Sequence, residues 1–345
     1  MIDLGLLRKI MKKTFIFIAN ILLAISLLSC GKKIDSSVWL NNFEDAKKAA
    51  RAENKRIFVF FSDDEGDGKS AKLKENLFNK EEFIKNYTEK YVLVNLDFSS
   101  SRADSYADDF ARDARLLESY DADEIPFFFV LSKEGYFISQ LVFEDYYDLD
   151  TARITFDEAE EEIKDFEDKL AKTKIGSVEE RLNAIDELFN ATDVSQITHL
   201  KDLSEQVLKL DKKNEYGFYI NHAISLAYTN AQEFILDGNE EKGSEVFEKL
   251  SHDKNFNNDD KQMALYTAGY MLIQVGSTNY EKILGYFRQA YEIDPESESG
   301  QGIKTAMDFV QMQIDGEGDD LAENLTTESE ELNSEELNSE ELNYE

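Results

Sequence analysis

Residues 56–70 read Arg56-Ile57-Phe58-Val59-Phe60-Phe61-Ser62-Asp63-Asp64-Glu65-Gly66-Asp67-Gly68-Lys69-Ser70. The run 57–61 is continuously apolar and has the length of a strand, which is typical of a central strand that is buried on both faces. An acidic loop containing two glycines follows it, and Leu73 and Leu77 come next at helical spacing. The succession of buried strand, loop and helix predicts an α/β domain.

The pattern continues on both sides of this strand. Apolar spacing and turn residues predict the following elements in chain order: a helix over 42–54, the strand 56–61, a helix carrying residues 73–84, a strand over 91–96, a helical stretch over 101–119, a hairpin of strands 127–131 and 136–143 around Lys133-Glu134-Gly135, and a closing helix with apolar residues from Phe156 to Leu170. These elements form the first domain, predicted over 36–172.

A set of residues around the central strand resembles the secreted thioredoxin-like families. The matching positions are Trp39, Ala46, Ala50, the pair Asn54-Lys55, Asp97 and Pro126. The resemblance implies a thioredoxin-like domain, which is a central mixed sheet flanked by helices. It also implies that the peptide bond before Pro126 is cis and that this proline lies against the active-site loop. A plain proline at the entrance to a strand is the alternative.

The sequence departs from these families at the position of their Cys-x-x-Cys motif. Aligning back from Lys72 places Asp67-Gly68-Lys69-Ser70 there, a degenerate active-site loop. Thiol–disulfide exchange needs an attacking thiolate, which neither aspartate nor serine supplies. The chain has one cysteine, so it cannot form a dithiol pair by itself. We therefore expect no dithiol oxidoreductase activity and assign no catalytic residue.

The replacement loop has two further interpretations besides an acidic, solvated segment. Asp63, Glu65, Asp67 and Gly68 match positions 1, 3, 5 and 6 of an EF-hand-like calcium loop. Position 12 is Lys74, where that loop needs a bidentate glutamate, so these three acids are weak candidates for a metal site. Alternatively, the loop and the segment around Pro126 form a peptide-binding surface.

Other site chemistries find little support in the sequence. The net charge of −34 argues against binding nucleic acid, because phosphate contacts need lysine and arginine. The three histidines, His199, His222 and His252, lie far apart, and no phosphate-binding loop or Gly-x-Ser-x-Gly elbow is present. We expect no cofactor.

The first thirty residues have the features of an export signal. Met11-Lys12-Lys13 precedes an apolar run that is too short for a typical membrane-spanning helix. The segment Leu27-Leu28-Ser29-Cys30 resembles the lipobox of bacterial lipoproteins. That resemblance implies cleavage after residue 29, a lipidated Cys30 and a linker over 30–35. An ordinary secretory signal or membrane anchor is the alternative, and either Met1 or Met11 is the start.

Beyond Gly176 the pattern becomes helical, and a second domain is predicted over 175–314. Small and aromatic residues at fixed intervals resemble a tetratricopeptide repeat: Ala264, Leu265, Ala268, Gly269, Leu272, Gly276, Tyr280, Phe287, Ala290 and Pro295. A weaker copy runs from Ala227 to Leu250. The resemblance implies stacked helix pairs that present a face for protein partners. A generic helical bundle is the alternative.

The tail 315–345 contains no lysine or arginine and repeats Ser-Glu-Glu-Leu-Asn three times. Like charges and few apolar residues predict disorder there. Taken together, these features favour a lipid-anchored adaptor or scaffold in the cell envelope, on the periplasmic face or the cell surface, which binds envelope or secreted proteins through its helical domain. A thioredoxin-family protein with a non-thiol or partner-assisted redox role and a calcium-binding module are the alternatives.

Overall fold

A computed structural model describes residues 38–66, 68–143 and 148–316. Contacts divide the chain into two compact units, with the boundary in sequence between Lys164 and Asp165. This boundary falls within the helix that was predicted to close the first domain. The first unit is α/β and the second is all-α. The predicted order of fold classes is therefore confirmed.

The described part of the first unit contains a five-stranded sheet with the order β1-β3-β2-β4-β5. Its strands are β1 (Trp39–Leu40), β2 (Arg56–Ser62), β3 (Tyr91–Asp97), β4 (Phe127–Leu131) and β5 (Phe137–Leu141). The strands β1, β3 and β2 run parallel, and β4 and β5 pair antiparallel. The sheet is therefore mixed, and the carboxyl ends of its three parallel strands share one edge.

Helices connect these strands. They are α1 (Phe43–Glu53), α2 (Lys69–Leu73), a π-helical turn (Lys74–Phe78), α3 (Glu81–Tyr87), α4 (Ser100–Ser105), α5 (Ala107–Ser119) and α6 (Leu149–Lys172). Helix α1 is set by local signals: the Asn42 side chain accepts a hydrogen bond from the Asp45 amide at 3.0 Å, and Asn54 ends the helix in the left-handed conformation.

Alternate residues of β2 face two different cores, as expected for a strand buried on both sides. Ile57, Val59 and Phe61 pack among the apolar residues of α1, β3 and β4. Phe58 and Phe60 point to the other face, where they meet a cluster of aromatic rings from Trp39, Phe78, Phe83, Phe128, Phe143 and Phe156. The continuous apolar run thus fills two cores from one strand.

The structure differs from the sequence prediction in three places. The short strand β1 was not predicted. The helical stretch predicted over 101–119 is two helices, because the backbone at Tyr106 leaves the helical region. The helix predicted to carry residues 73–84 is divided into α2, the π-helical turn and α3, with a break at 79–80. Each difference concerns a break or a two-residue element, for which apolar periodicity gives little signal.

The second unit continues from α6 with helices only. They are α7 (Val178–Asn190), a 3-10 helix (Val194–Leu200), α8 (Lys201–Leu210), α9 (Tyr219–Leu236), α10 (Glu240–Leu250), α11 (Asn258–Gln274), α12 (Tyr280–Ile293) and α13 (Gly300–Asp315). From α8 onward each helix packs against the next one in the chain. This succession lets every added helix cover an apolar face of its predecessor.

Helices α11 and α12 pack most closely and run in opposite directions. The Gln262 amide donates to the Ala290 and Asp294 carbonyls near one end, whereas Gly269 faces Phe287 further along. A Cβ atom on Gly269 would lie 2.6 Å from Phe287 Cε1. The missing side chain is therefore what allows the two helices to come this close. Among the described residues, no helix is long and apolar enough to cross a membrane.

Candidate functional site

The acidic loop, which the alignment predicts to stand at the Cys-x-x-Cys position, begins at the carboxyl end of β2. The last antiparallel pair between β2 and β4 is Phe61 with Phe127, so Ser62 and Pro126 stand opposite each other one step further on. Neighbouring strands are about 5 Å apart. The Ile125–Pro126 peptide bond is cis. The register therefore places the proline beside Ser62, the last residue of β2, from which the loop departs.

Ser70 is buried and holds the loop in place. It is 1% exposed, and its Oγ accepts a hydrogen bond from the Asp63 amide at 3.0 Å. Gly68 has a φ of +76°, a conformation that favours glycine, and Lys69 begins α2. Asp67 lies outside the described residues. At Ser70, for which the sequence alignment predicts a thiol position of the related families, a hydroxyl thus supports the backbone.

The acidic side chains of the loop have separate hydrogen-bond partners. Asp63 Oδ1 accepts from the Glu65 and Gly66 amides at 2.9 and 3.0 Å, and Glu65 Oε2 accepts from the Ser101 amide at 3.2 Å. Lys74, at the twelfth position of the calcium pattern, donates to the Asp64 carboxylate at 2.8 Å. Calcium binding by Asp63, Glu65 and Asp67 stays a prediction.

A buried ion network lies behind this loop. The Asp113 side chain is 1% exposed and pairs with Arg102. The Arg112 Nε donates to Asp113 at 3.0 Å, and Arg102 Nη1 donates to the Asp97 carbonyl at 2.7 Å. Asp97 is the last residue of β3, so the network ties α4 and α5 to the end of that strand. The sequence alone does not reveal this cluster, because its members are separated along the chain and charged residues are abundant throughout the chain.

Two cavities open next to the same edge of the sheet. The smaller, of about 220 Å³, lies against the aromatic core beside Trp39, Phe60 and Phe78. The larger, of about 520 Å³, is polar and reaches Arg102 and Tyr106. Asn41 and Asn95 line both cavities. Sequence reasoning missed Asn95, for which the one available signal was a polar residue within an otherwise apolar strand.

The histidines of the helical unit form no common site. His222 is 3% exposed on α9, with Nδ1 3.2 Å from Ser204 Oγ and its ring packed edge-on against Phe189. Burial lowers the pKa of His222 below its ordinary value. His252 is exposed. His199, on the 3-10 helix, is half-buried.

Two helices of this unit present partly exposed faces without charged residues, which we call the uncharged strips; Ser225, Tyr266 and Tyr270 in them are half-buried. On α9 the strip consists of Asn221, Ser225, Tyr228 and Gln232. On α11 it consists of Met263, Tyr266, Tyr270 and Gln274. Tyr228 is 49% exposed and Met263 is 50% exposed. In a chain in which 32% of residues are charged, solvent-exposed helix faces of this composition are unusual.

Comparison with known families agrees with the architecture. A family model described as Thioredoxin-like matches residues 38–133. The first unit is a thioredoxin-like domain. A second model, described as Uncharacterised protein C-terminal domain, matches residues 219–316 within the helices. The predicted fold, a thioredoxin-like domain followed by an all-helical domain, is thus confirmed.

One solved structure, titled DsbH Oxidoreductase, matches with 15% sequence identity and a TM-score of 0.32. The match covers 39% of this chain and 96% of that one. No curated protein matches the chain. Three predicted features lie outside the described residues: the signal peptide over 1–29, the linker with Cys30 over 30–35, and the tail from residue 317 onward.

Proposed function

We propose that this protein is an exported lipoprotein, anchored in the cell envelope through Cys30, whose helical domain binds other envelope or secreted proteins. In this proposal its thioredoxin-like domain performs no dithiol exchange, and the protein acts as an adaptor or scaffold. The observation that carries the adaptor role is the pair of uncharged strips on α9 and α11.

The composition of the strips supports a role in protein binding. Residues 219–232 and 262–280 contain no aspartate, glutamate, lysine or arginine, although the chain carries a net charge of −34. Tyr266 stacks on Phe287, with ring centroids 5.1 Å apart, so one side of its ring is held by the core. A tyrosine fixed in this way loses little conformational freedom on binding, and tyrosine is enriched among the residues that dominate protein interfaces.

The packing of the helices supports a tetratricopeptide-like arrangement. Ala223, Ile220 and Ile224 of α9 and Ala264 of α11 belong to one apolar cluster, which Phe256 and Leu250 complete. The close pair of α11 and α12 depends on Gly269, one of the small residues that suggested the repeat. Stacked pairs of this kind place successive first helices side by side, which would join the two strips into one surface.

The absence of dithiol chemistry is supported by residue identity. The chain has one cysteine, at position 30, and lipidation would consume its thiol. Ser70, which stands where a second thiol would be, is buried and bonded to the Asp63 amide. We expect the purified mature protein to be inactive in an insulin-reduction assay. Turnover above the background given by the reductant alone would contradict the proposal.

Site-specific photo-cross-linking in the native cell tests the adaptor role. A photoreactive phenylalanine analogue replaces Tyr228 or Met263 in the strips, and Lys249, exposed on α10, serves as the control position. We expect the same discrete protein adduct from both strip positions and none from the control. A second protein variant combines the photoreactive group at position 263 with the substitution Tyr228→Asp, and in this variant the adduct should disappear. Equal labelling from all three positions would contradict the proposal.

Metabolic labelling with radioactive palmitate tests the anchor. The wild-type protein should incorporate the label, and the Cys30→Ala variant should not. Incorporation by the variant, or none by the wild type, would contradict lipidation at Cys30.

A further inference from the structure

The carboxamide of Asn95 is an unusual group in the core of the thioredoxin-like domain. Its Oδ1 is buried and accepts no hydrogen bond from the described residues. Asn95 pairs with Phe60 across the parallel strands β3 and β2. Leaving a buried acceptor without a donor is unfavourable, so native proteins rarely do it. An apolar residue at this position would remove that cost.

The smaller cavity lies next to this group and has two kinds of lining. Trp39, Phe60 and Phe78 provide aromatic walls, and Asn41, Asn79 and Asn95 provide three carboxamides. The lining also contains one cationic side chain, Lys74, which is paired with Asp64. The chemistry that this lining complements is an apolar side chain joined to an amide, which is a residue of a peptide.

The volume limits what the cavity can hold. At about 220 Å³ it is smaller than the roughly 300–1,000 Å³ of typical small-molecule pockets. Apolar cavities of about 150 Å³ already accept a benzene ring. One phenylalanine-sized side chain therefore fits, whereas a whole cofactor does not.

The surroundings of the cavity can accommodate the rest of a bound peptide, in an adjoining cleft and along an edge strand. The cavity adjoins the larger polar cleft through Asn41 and Asn95, so a chain can pass from one to the other. Strand β1 is the edge of the described sheet and pairs with β3 on one side. The backbone groups on the other side of an edge strand are available to an added extended segment.

We propose that this cavity binds one aromatic side chain of an extended peptide segment of a partner protein, and that a rotation of the Asn95 side chain turns its buried Oδ1 toward a backbone N–H of that segment, from which it accepts a hydrogen bond. The site belongs to the thioredoxin-like domain and does not depend on the uncharged strips. If the helices bind no partner, the cavity proposal is unaffected. If the cavity binds no peptide, the adaptor proposal for the helices is equally unaffected.

Fluorescence titration of the mature protein tests the site, because Trp39 is the one tryptophan of the chain and lines the cavity. The probe is N-acetyl-phenylalanine methylamide, and N-acetyl-alanine methylamide is its control. We expect a saturable change in Trp39 emission with the first probe and at least tenfold weaker binding of the second. No saturable change, or equal affinity for both probes, would overturn the proposal.

Variants separate binding from a purely structural role. Asn95→Leu should abolish the response while its melting temperature equals or exceeds that of the wild type, since it removes a buried acceptor without a partner. Gln196→Met is the matched control, because Gln196 Oε1 is a similar buried acceptor in the other unit. Its response should stay unchanged.

A third variant keeps the test decisive if Asn95→Leu does not fold. Asn79 is exposed at the rim of the cavity, so Asn79→Phe places a ring there without disturbing the core. We expect it to lower the affinity for the phenylalanine probe at least tenfold. An unchanged affinity in this variant, or a full response in folded Asn95→Leu, would show that the probe binds elsewhere and would overturn the proposal.

Discussion

The same substitution, glycine to alanine, should stabilise the α11–α12 pair at one position and give no gain or a loss at another. A Cβ atom on Gly269 would lie 2.6 Å from Cε1 and 2.9 Å from Cδ1 of Phe287, which is fully buried. A Cβ atom on Gly285, within α12, would meet nothing within 4 Å. Both positions are helical, so Gly285→Ala is a matched control for Gly269→Ala.

The expected magnitudes follow from these contacts. Alanine is favoured over glycine in a helix by about 1 kcal/mol, and Gly285→Ala should gain up to that amount. Carbon atoms normally approach to about 3.5–4.0 Å, so the Phe287 ring would have to move in a filled core. Such overpacking costs about 1–3 kcal/mol, which cancels or exceeds the helical gain. We expect Gly269→Ala to be about 1–3 kcal/mol less stable than Gly285→Ala.

Amide hydrogen exchange of α11 and α12 in the full chain measures this difference within the helical unit. Thermal unfolding should show the same order, with roughly 2–4 °C for each kcal/mol in a unit of this size. Phe287→Leu should be less harmful in the Gly269→Ala background than in the wild type, because the smaller side chain makes room for the new methyl group. If Gly269→Ala is as stable as Gly285→Ala, the close helix packing described above is wrong.

Two further predictions concern buried ionisable groups. Asp113→Ala leaves Arg102 without its buried partner and should lower the free energy of unfolding, measured by urea denaturation, by about 3–5 kcal/mol. Asp109→Ala, at an exposed carboxylate, should lower it by about 0–1 kcal/mol. Similar losses in the two variants would show that the network around Asp113 is not buried. Burial lowers the pKa of His222 below its ordinary value of 6.5, so the unfolded chain binds a proton before the folded chain does, and the free energy of unfolding should fall as the pH falls through 6.5. His222→Asn should reduce this dependence of stability on pH, whereas His252→Asn, at an exposed histidine, should not. An unchanged dependence in both variants would contradict the burial of His222.

The regular elements could be predicted because their signals are local. The helix predicted over 42–54 is observed as Phe43–Glu53, with Asn42 capping its start, and the strand predicted over 56–61 is observed as Arg56–Ser62. Short elements and breaks could not be predicted in this way. Strand β1 has two residues, and the interruption at Tyr106 lies within a continuous helical pattern.

Residue identity alone determined part of the chemistry. A chain with one cysteine cannot supply a dithiol, whatever its fold, and a net charge of −34 opposes phosphate binding. The apolar run 57–61 likewise required burial on both faces of a sheet. These conclusions follow from composition and from spacing along the chain, which the sequence contains directly.

The tertiary structure decided which polar groups found partners and which did not. Arg102 and Asp113 become a buried pair because α4 and α5 both pack at the end of β3. Asn95 is left with an unsatisfied oxygen, and it lines a cavity together with Trp39 and Phe78, which come from other elements. Hydrogen bonds and cavities depend on distances of a few tenths of an ångström between segments far apart in the chain, and the order of the residues does not specify those distances until the chain has folded.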